Sequence, residues 1–287
     1  MLFPVRSSRF GAALLVAFGL TASGCSTFDD LNPFGGEKYK TVIEPDVPAS
    51  QVYDQGLTKL ANGSPQEAAK KFTDLGKQYP QSDWARKGLI MTTFAQYQAA
   101  DYESAVASAN RYVKQYPKTP EAAYALYLAA SSYYAQIPDV ARDQDRAEKA
   151  LVTFEQLIQQ YPKSEYVDDA KYKVQVCADQ LAGKEMSIGR FYLTRHNYVA
   201  AINRFRNVLG PYQTTRHSEE ALYRLVEAYL GLGVTDEAQT AAAVLGHNFP
   251  DGQWYKDAYS LLQGQGLDPK ENQDSWISKA FHTIVPI

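Results

Sequence analysis

Residues 222–250 read LYRLVEAYLGLGVTDEAQTAAAVLGHNFP, and this stretch decides the fold. Leu222, Leu225 and Tyr229 share one helical face, as do Ala238, Ala242 and Leu245 further on, so two amphipathic helices follow one another. Phe249-Pro250 then stops the second helix, because proline disfavours helical geometry in the residue before it. That second half recurs along the chain as Ala68…Phe72…Leu75…Pro80, Ala105…Ala109…Tyr112…Pro117, Ala150…Phe154…Leu157…Pro162 and Ala201…Phe205…Val208. In four of the five units the proline stands 12 residues after the alanine, preceded by Tyr79, Tyr116, Tyr161 or Phe249. The fourth unit has Pro211-Tyr212 nearby instead. A small alanine lets a neighbouring helix approach, and the aromatic residue fills the gap beside it. Recurrence at a fixed internal spacing means a stack of similar units, and four identical spacings argue against an ordinary helical bundle.

The first and fifth units carry the front half of the tetratricopeptide pattern as well. Leu222, Leu225, Tyr229, Ala238 and Pro250 occupy its slots, with Val226 in place of the glycine; Gly56, Ala68, Phe72 and Pro80 do so in the first unit, with Val52 at the tryptophan position. Helix starts are expected at the capping box Ser64-Pro65-Gln66-Glu67, at Thr119-Pro120-Glu121 and at Ser164-Glu165. The diagnostic alanines lie 37, 45, 51 and 37 residues apart, which places insertions near 136–146 and in an extended first helix of the fourth unit. From Ser164 to Leu193 no proline interrupts the helical period. The expected fold is an all-α tetratricopeptide-repeat solenoid of five helix–turn–helix units with elongated middle helices. Units 1–3 occupy 50–163; units 4–5 occupy 164–263, with the long connecting helix and a short closing helix over 253–263.

The two ends read differently. Arg6 and Arg9 precede an apolar run from Phe10 to Leu20, too short to span a bilayer, so 1–24 is expected to be a lipoprotein signal peptide. Ala22-Ser23-Gly24-Cys25 resembles a bacterial lipobox, departing from it at Ala22, and Cys25 is the expected lipidation site; the alternative is an ordinary signal cleaved nearby. Each buried CH₂ contributes about 0.8 kcal/mol, so two or three acyl chains anchor stably where one does not. Ser26 after the cysteine favours the outer membrane, by resemblance to bacterial sorting rules. Segment 25–49 is a lipidated flexible tether, broken by Pro33, Gly35, Gly36, Pro45 and Pro48, with a reach of roughly 25–30 Å. In the C-terminal tail, 264–287, Ile277, Phe281 and Ile284 are spaced for one face of a short helix. The tail either docks on a partner or a membrane interface, or is a loose end.

Nothing in the composition suggests a catalyst. The formal charge of −3 offers no global field for nucleic acid. His196, His217, His247 and His282 are scattered without metal-ligand spacing, and no glycine-rich phosphate loop opens a helix, so no cofactor, metal or catalytic residue is expected. Cys177 lies on the stripe Val167, Ala170, Val174, Cys177, Leu181 and reads as a small core side chain. Most of the 21 tyrosines lie at helical spacing as packing residues; any left on a concave groove would serve peptide binding.

Tyr192-Leu193-Thr194-Arg195-His196-Asn197-Tyr198-Val199-Ala200-Ala201-Ile202-Asn203-Arg204-Phe205 resembles the signature of the BamD (ComL) family, lipoproteins of the outer-membrane β-barrel assembly machinery. The resemblance extends to the lipobox, to Tyr53…Phe72…Tyr79-Pro80, to Asp143-x-Asp145-x-Ala147 and to Tyr161-Pro162-x-Ser164-x-Tyr166. It implies a non-enzymatic scaffold, lipid-anchored at the outer membrane and facing the periplasm. In the family the N-terminal repeats form a groove for the C-terminal signal of unfolded outer-membrane β-barrel proteins, and the C-terminal repeats contact the periplasmic region of the barrel subunit BamA, beside other assembly-machinery lipoproteins. By that resemblance Arg204, Arg195 and Asn203 are partner-binding candidates, with Arg204 alternatively linking helices inside the fourth repeat. Tyr53 and Tyr97 are candidates for the client groove or for the core. A tetratricopeptide lipoprotein coupled to cell-wall remodelling or the Tol–Pal system is the other reading.

Overall fold

The computed structural model describes residues 47–80 and 82–282, which belong to one compact unit beginning at Val47. The signal segment 1–24, Cys25 and the tether up to Asp46 lie outside the described residues, as does Ile284 of the tail. Among the described residues the fold is helical throughout: α1 (Ala49–Ala61), α2 (Pro65–Gln78), α3 (Asp83–Gln98), α4 (Tyr102–Gln115), α5 (Pro120–Tyr134), α6 (Asp145–Gln160), α7 (Val167–Thr194), α8 (Tyr198–Leu209), α9 (Ser218–Leu232), α10 (Thr235–Asn248), α11 (Gln253–Gln263) and α12 (Trp276–His282). Each helix packs on the next from α1 to α10, giving five tetratricopeptide hairpins. The odd-numbered helices also touch along a second row, α1 with α3, α3 with α5, and α7 with α9.

Proline chemistry sets the ends of the second helices. Tyr79, Tyr116, Tyr161 and Phe249 all sit at φ −128 to −136° and ψ 51 to 57°, outside the helical region, as the proline that follows each requires. Each still donates its N–H to the carbonyl four residues back, at Leu75, Tyr112, Leu157 and Leu245, which closes the last turn before the chain leaves the helix. The turn between first and second helices repeats too. Gly63, Ala100, His196 and Gly233 all have left-handed φ, between 57 and 76°, although two of them are not glycine. A left-handed L-residue costs about 1–2 kcal/mol, so Ala100 and His196 hold this geometry because the packed hairpin demands it.

The expected starts of α2 at Pro65 and α5 at Pro120 hold, but their side-chain caps do not form and α7 starts later than expected. Ser64 is the N-cap of α2, but its side chain makes no cap bond, so the reciprocal capping box does not form. Thr119 stands before α5, yet its hydroxyl donates back to the Tyr116 carbonyl at 3.0 Å. Helix α7 begins at Val167 rather than at Ser164, whose Oγ instead accepts from the Tyr166 N–H at 3.3 Å. Side-chain caps occur at Ser82, Asp101 and Asn197.

The core is built by trading volume between paired helices. In the first and fourth units the second helix supplies Phe72 and Phe205, both fully buried, and the first helix supplies glycine sixteen residues earlier. A Cβ on Gly56 would lie 2.5 Å from the Phe72 ring, and one on Gly189 would overlap Phe205. Where the second helix carries Ala109 or Ala242, the same earlier position holds the larger Thr93 or Val226, also fully buried.

Two insertions break the regular repeat, and they fit together. Segment 135–144 lies against the middle of α7, where Gln180 Nε2 donates to the Pro138 carbonyl at 3.0 Å and Lys184 Nζ to the Ala141 carbonyl at 2.7 Å. With 28 residues, α7 spans about 42 Å. Its first half places Val167, Ala170 and Cys177 in the core of the third unit; its second half places Ala182 and Met186 in the core of the fourth and fifth.

The tail is neither loose nor laid outward up to His282. Its last helix, α12, packs on α10, burying Ile277 completely in the C-terminal core. Ser275 Oγ donates to Glu237 at 2.7 Å, and Trp276 Nε1 donates to the Tyr229 hydroxyl at 3.0 Å. These apolar residues close the end of the stack, a place any repeat array must cover.

Candidate functional site

Two surfaces carry the residues singled out above. The first lies along the odd-numbered helices of units 2 to 4. On α5 the buried alanines and Leu126 form one stripe, and Tyr124, Tyr127 and Tyr134 form another beside it, half-buried. Tyr127 stacks on Tyr166 with ring centres 4.9 Å apart; Tyr124 lies 5.3 Å from Tyr166 and 6.5 Å from Phe94 of α3. Aromatic rings at such offsets attract one another beyond their buried area.

A single ion pair orders this row. Lys173 of α7 reaches Asp169 at 2.9 Å and the Tyr127 hydroxyl at 2.8 Å, and Tyr127 donates to Asp169 at 2.7 Å. The ammonium also lies 4.7 Å over the Tyr127 ring and 5.6 Å from those of Tyr134 and Phe154. Burial alone would pull Lys173 down and push Asp169 up. The bonds from Tyr127 and between the pair outweigh it, lifting Lys173 above and holding Asp169 below their ordinary values. Both stay charged at neutral pH. Burial raises Tyr97 and Tyr124, and burial with a bond to Glu165 pushes Tyr166 up to about 12, so these hydroxyls remain protonated.

Next to this row a cavity of about 680 Å³ opens between the start of α5 and the α6–α7 connection. Tyr124, Tyr161, Tyr166, Pro120 and Pro162 supply its walls. Glu121 at its edge is held by Arg86 at 3.0 Å, which leaves Lys163 and Glu165 as the charges facing solvent. Such a surface can hold an aromatic or branched side chain of an extended peptide and offer neutral hydroxyls to its backbone.

The two groove candidates fall apart in space. Tyr97 sits 5.9 Å from Tyr102 and feels the charge of Lys173, which places it by the aromatic row. Tyr53 packs between Phe72 at 5.4 Å and Trp84 at 5.3 Å, among the core residues of the first unit. Tyr124, Tyr127 and Lys173 were not singled out by sequence reading, and Tyr166 entered only as part of the family motif. The i, i+3 spacing of Tyr124 and Tyr127 is the signal that could have marked them; for Lys173 none was available, because a lysine in a helix reads as solvated.

The second surface is the α7–α8 hairpin. Arg204 binds Glu185 of α7 through both carboxylate oxygens, at 3.2 and 3.3 Å, and Asn207 Nδ2 donates to the same carboxylate at 2.8 Å. Arg195, at the end of α7, lies 3.7 Å over the ring of Phe191, which is half exposed. Glu185 and Arg195 are ten residues apart, about 15 Å along the helix, so the Arg204 pair lies midway along α8 while Arg195 marks the turn. Asn203 faces solvent on α8, in line with the exposed Val199 and Asn207. Cys177 is fully buried and its thiol is pushed up to about 12 by burial, which leaves it un-ionised at neutral pH. Among the described residues no helix is long and apolar enough to cross a membrane.

Comparison with known proteins adds a family. The model of the YfiO family, described as an outer membrane lipoprotein, matches residues 45–261. The outer membrane protein assembly factor BamD of Caulobacter vibrioides is 43% identical over 258 residues, 90% of this chain and 81% of that protein. The protein of the same name from Rickettsia prowazekii is 40% identical over 259 residues, 90% of this chain and 98% of its own. The TPR2AB domain of yeast Sti1, solved in complex with pHSP90, is a distant structural neighbour, with a TM-score of 0.37 at 12% identity over 76% of this chain and 85% of its own.

Proposed function

This chain belongs to the YfiO family of outer-membrane lipoproteins, the BamD assembly factors, and from that premise we propose how it serves outer-membrane protein assembly. It is a non-enzymatic scaffold, anchored by acyl chains on Cys25 and facing the periplasm. Unfolded β-barrel proteins dock on the aromatic row of units 2 to 4, and the α7–α8 hairpin contacts BamA beside the other lipoproteins of the machinery.

The observation that carries the client role is the row Phe94, Tyr97, Tyr124, Tyr127 and Tyr166, half-buried beside an open cavity. Barrel strands alternate outward and inward side chains, and an extended segment can present every second one to such a row. Binding is modest and reversible, because the client loses conformational entropy on docking. For the BamA contact, Arg204 is only partly exposed and already chelates Glu185, so a partner carboxylate would join or replace a pair that exists in the free chain.

Photo-crosslinkers placed at Tyr124 and Tyr166 of the full chain test the client role: adducts with C-terminal peptides of barrel proteins are expected, and their absence at both positions refutes it. For the second contact, the exchange Arg204→Glu with Glu185→Arg restores the internal pair with its sign reversed. Loss of BamA co-purification from a folded double variant supports the arginine as a partner contact, whereas full retention reduces it to a brace between α7 and α8.

A further inference from the structure

We propose that the groove between α2 and α4, floored by α3, is a second polypeptide site that takes an extended segment bearing a carboxylate side chain. It lies on the even-numbered helices, away from the aromatic row, and does not depend on the client reading. Its volume is about 370 Å³, with Thr73, Lys77, Thr92, Gln96, Ser108 and Arg111 among its lining residues. A second cavity of about 290 Å³ shares Thr73, Lys77 and Gln96 with it, extending the groove towards the end of α3.

The floor is what sets it apart. Thr92 is 4% exposed, and its hydroxyl has no hydrogen-bond partner; the buried Oε1 of Gln96, one turn further on α3, has none either. Neighbouring threonines behave otherwise: Thr73 donates to the Ala69 carbonyl at 2.8 Å and Thr93 to that of Leu89 at 3.0 Å. Buried polar groups are nearly always satisfied, so two orphans one turn apart at the bottom of an open groove point to a ligand that supplies their partners.

Charge at the rim selects the occupant. Lys77 and Arg111 line the main cavity with no carboxylate, while Asp74 and Asp101 stand only in its extension. Arg111 is exposed and has no ion pair among the described residues, while Lys77 makes only a 3.5 Å surface contact with Asp74. A lone carboxylate would suit these cations but cannot donate to the Gln96 oxygen; a phosphate, whose P–OH can, is the competing ligand that the test separates. A peptide backbone donates an N–H to Gln96 and accepts from Thr92, while an acidic side chain reaches Arg111. An extended acidic segment therefore satisfies floor and rim together.

The test uses the full-length lipidated chain in detergent micelles and a fluorescent nonapeptide alternating glutamate with threonine, beside its glutamine counterpart. Anisotropy should show the acidic peptide binding about 10-fold more tightly, the difference a charge-assisted pair supplies. Arg111→Glu should remove that preference, and Thr92→Val should weaken both peptides about threefold, with thermal melts confirming that each variant is folded. Val152→Ala, at an exposed position on α6 outside both surfaces, should leave both affinities unchanged. Failure of the acidic peptide to bind, equal binding of the two, persistence of the preference in Arg111→Glu, or loss of binding in Val152→Ala each overturns the proposal. Displacement of the acidic peptide by equimolar inorganic phosphate would show a simple anion site and overturn it too.

Discussion

The two halves of the stack are built from one repeat but hold together differently. In units 1 to 3 the buried residues fall into separate clusters: around Phe72, around Tyr112 and around Phe154. In units 4 and 5 a single cluster runs from Ala182 on α7 to Ile277 on α12, through Phe205, Leu225 and Leu245. The difference comes from the ends. The tail returns to pack on α10, and α9 holds both α10 and α11, so the last hairpin is covered and its core stays continuous. Units 2 to 4 carry the half-buried aromatic row beside their separate clusters. Under the function proposed above, the continuous core would back the contact with BamA and the aromatic row would meet the unfolded clients.

The largest effect should come from the matched pair Phe205→Ala and Phe72→Ala. Each removes a fully buried ring and should cost about 3–5 kcal/mol in its own half. Hydrogen exchange separates them: the first should speed exchange from the second half of α7 through α12, the second only in α1 to α3. Equal spreading from both would break the comparison.

Ile277→Ala comes next, at about 2–4 kcal/mol, since this side chain is completely buried by the returning tail. Urea unfolding should show the loss, with α10 amides exchanging faster; an unchanged midpoint would mean that the tail merely rests on the stack.

Alkaline pH probes the aromatic row. Tyr166 titrates near 12 when folded, against about 10 when unfolded, so the fold holds its proton more tightly. That contribution is complete below about pH 10 and disappears as pH rises from there to about 12. The urea midpoint should therefore fall across this window, and Tyr166→Phe should fall less. A variant that loses stability as steeply as the parent would remove Tyr166 from the account.

The smallest effect is expected at a turn. Ala100→Gly relieves a left-handed alanine at φ 57° and should stabilise the second unit by about 0.5–1 kcal/mol after the added entropy of the unfolded chain is counted. A thermal melt detects it as a rise; a fall would show that the alanine methyl packs usefully.

Much of this architecture is legible in the residues alone where the cause is local. Tyr79-Pro80 and Phe249-Pro250 stop helices by a clash between neighbours in the chain, and the structure has the same dihedral angles at each such stop. Ser64 stands at its expected N-cap position without the bond, and the cap at Ser164 was misread, because a cap bond needs the incoming chain at the right angle, and that angle is set by the left-handed turn or by the preceding loop. Tyr53 and Tyr97 look alike in sequence, yet one lies among the core residues of the first unit and the other beside a buried lysine.

The chain by itself determined the number of hairpins, the place of the insertions and the family, since periodicity, proline stops and a contiguous signature act within a few turns. Only the tertiary structure decided that Arg204 spends its charge on Glu185, that Lys173 and Asp169 order the tyrosines, and that the tail returns to cover the last repeat. Those outcomes depend on residues far apart in the chain meeting across packed helices, and no local rule of spacing encodes which distant partner a side chain will face.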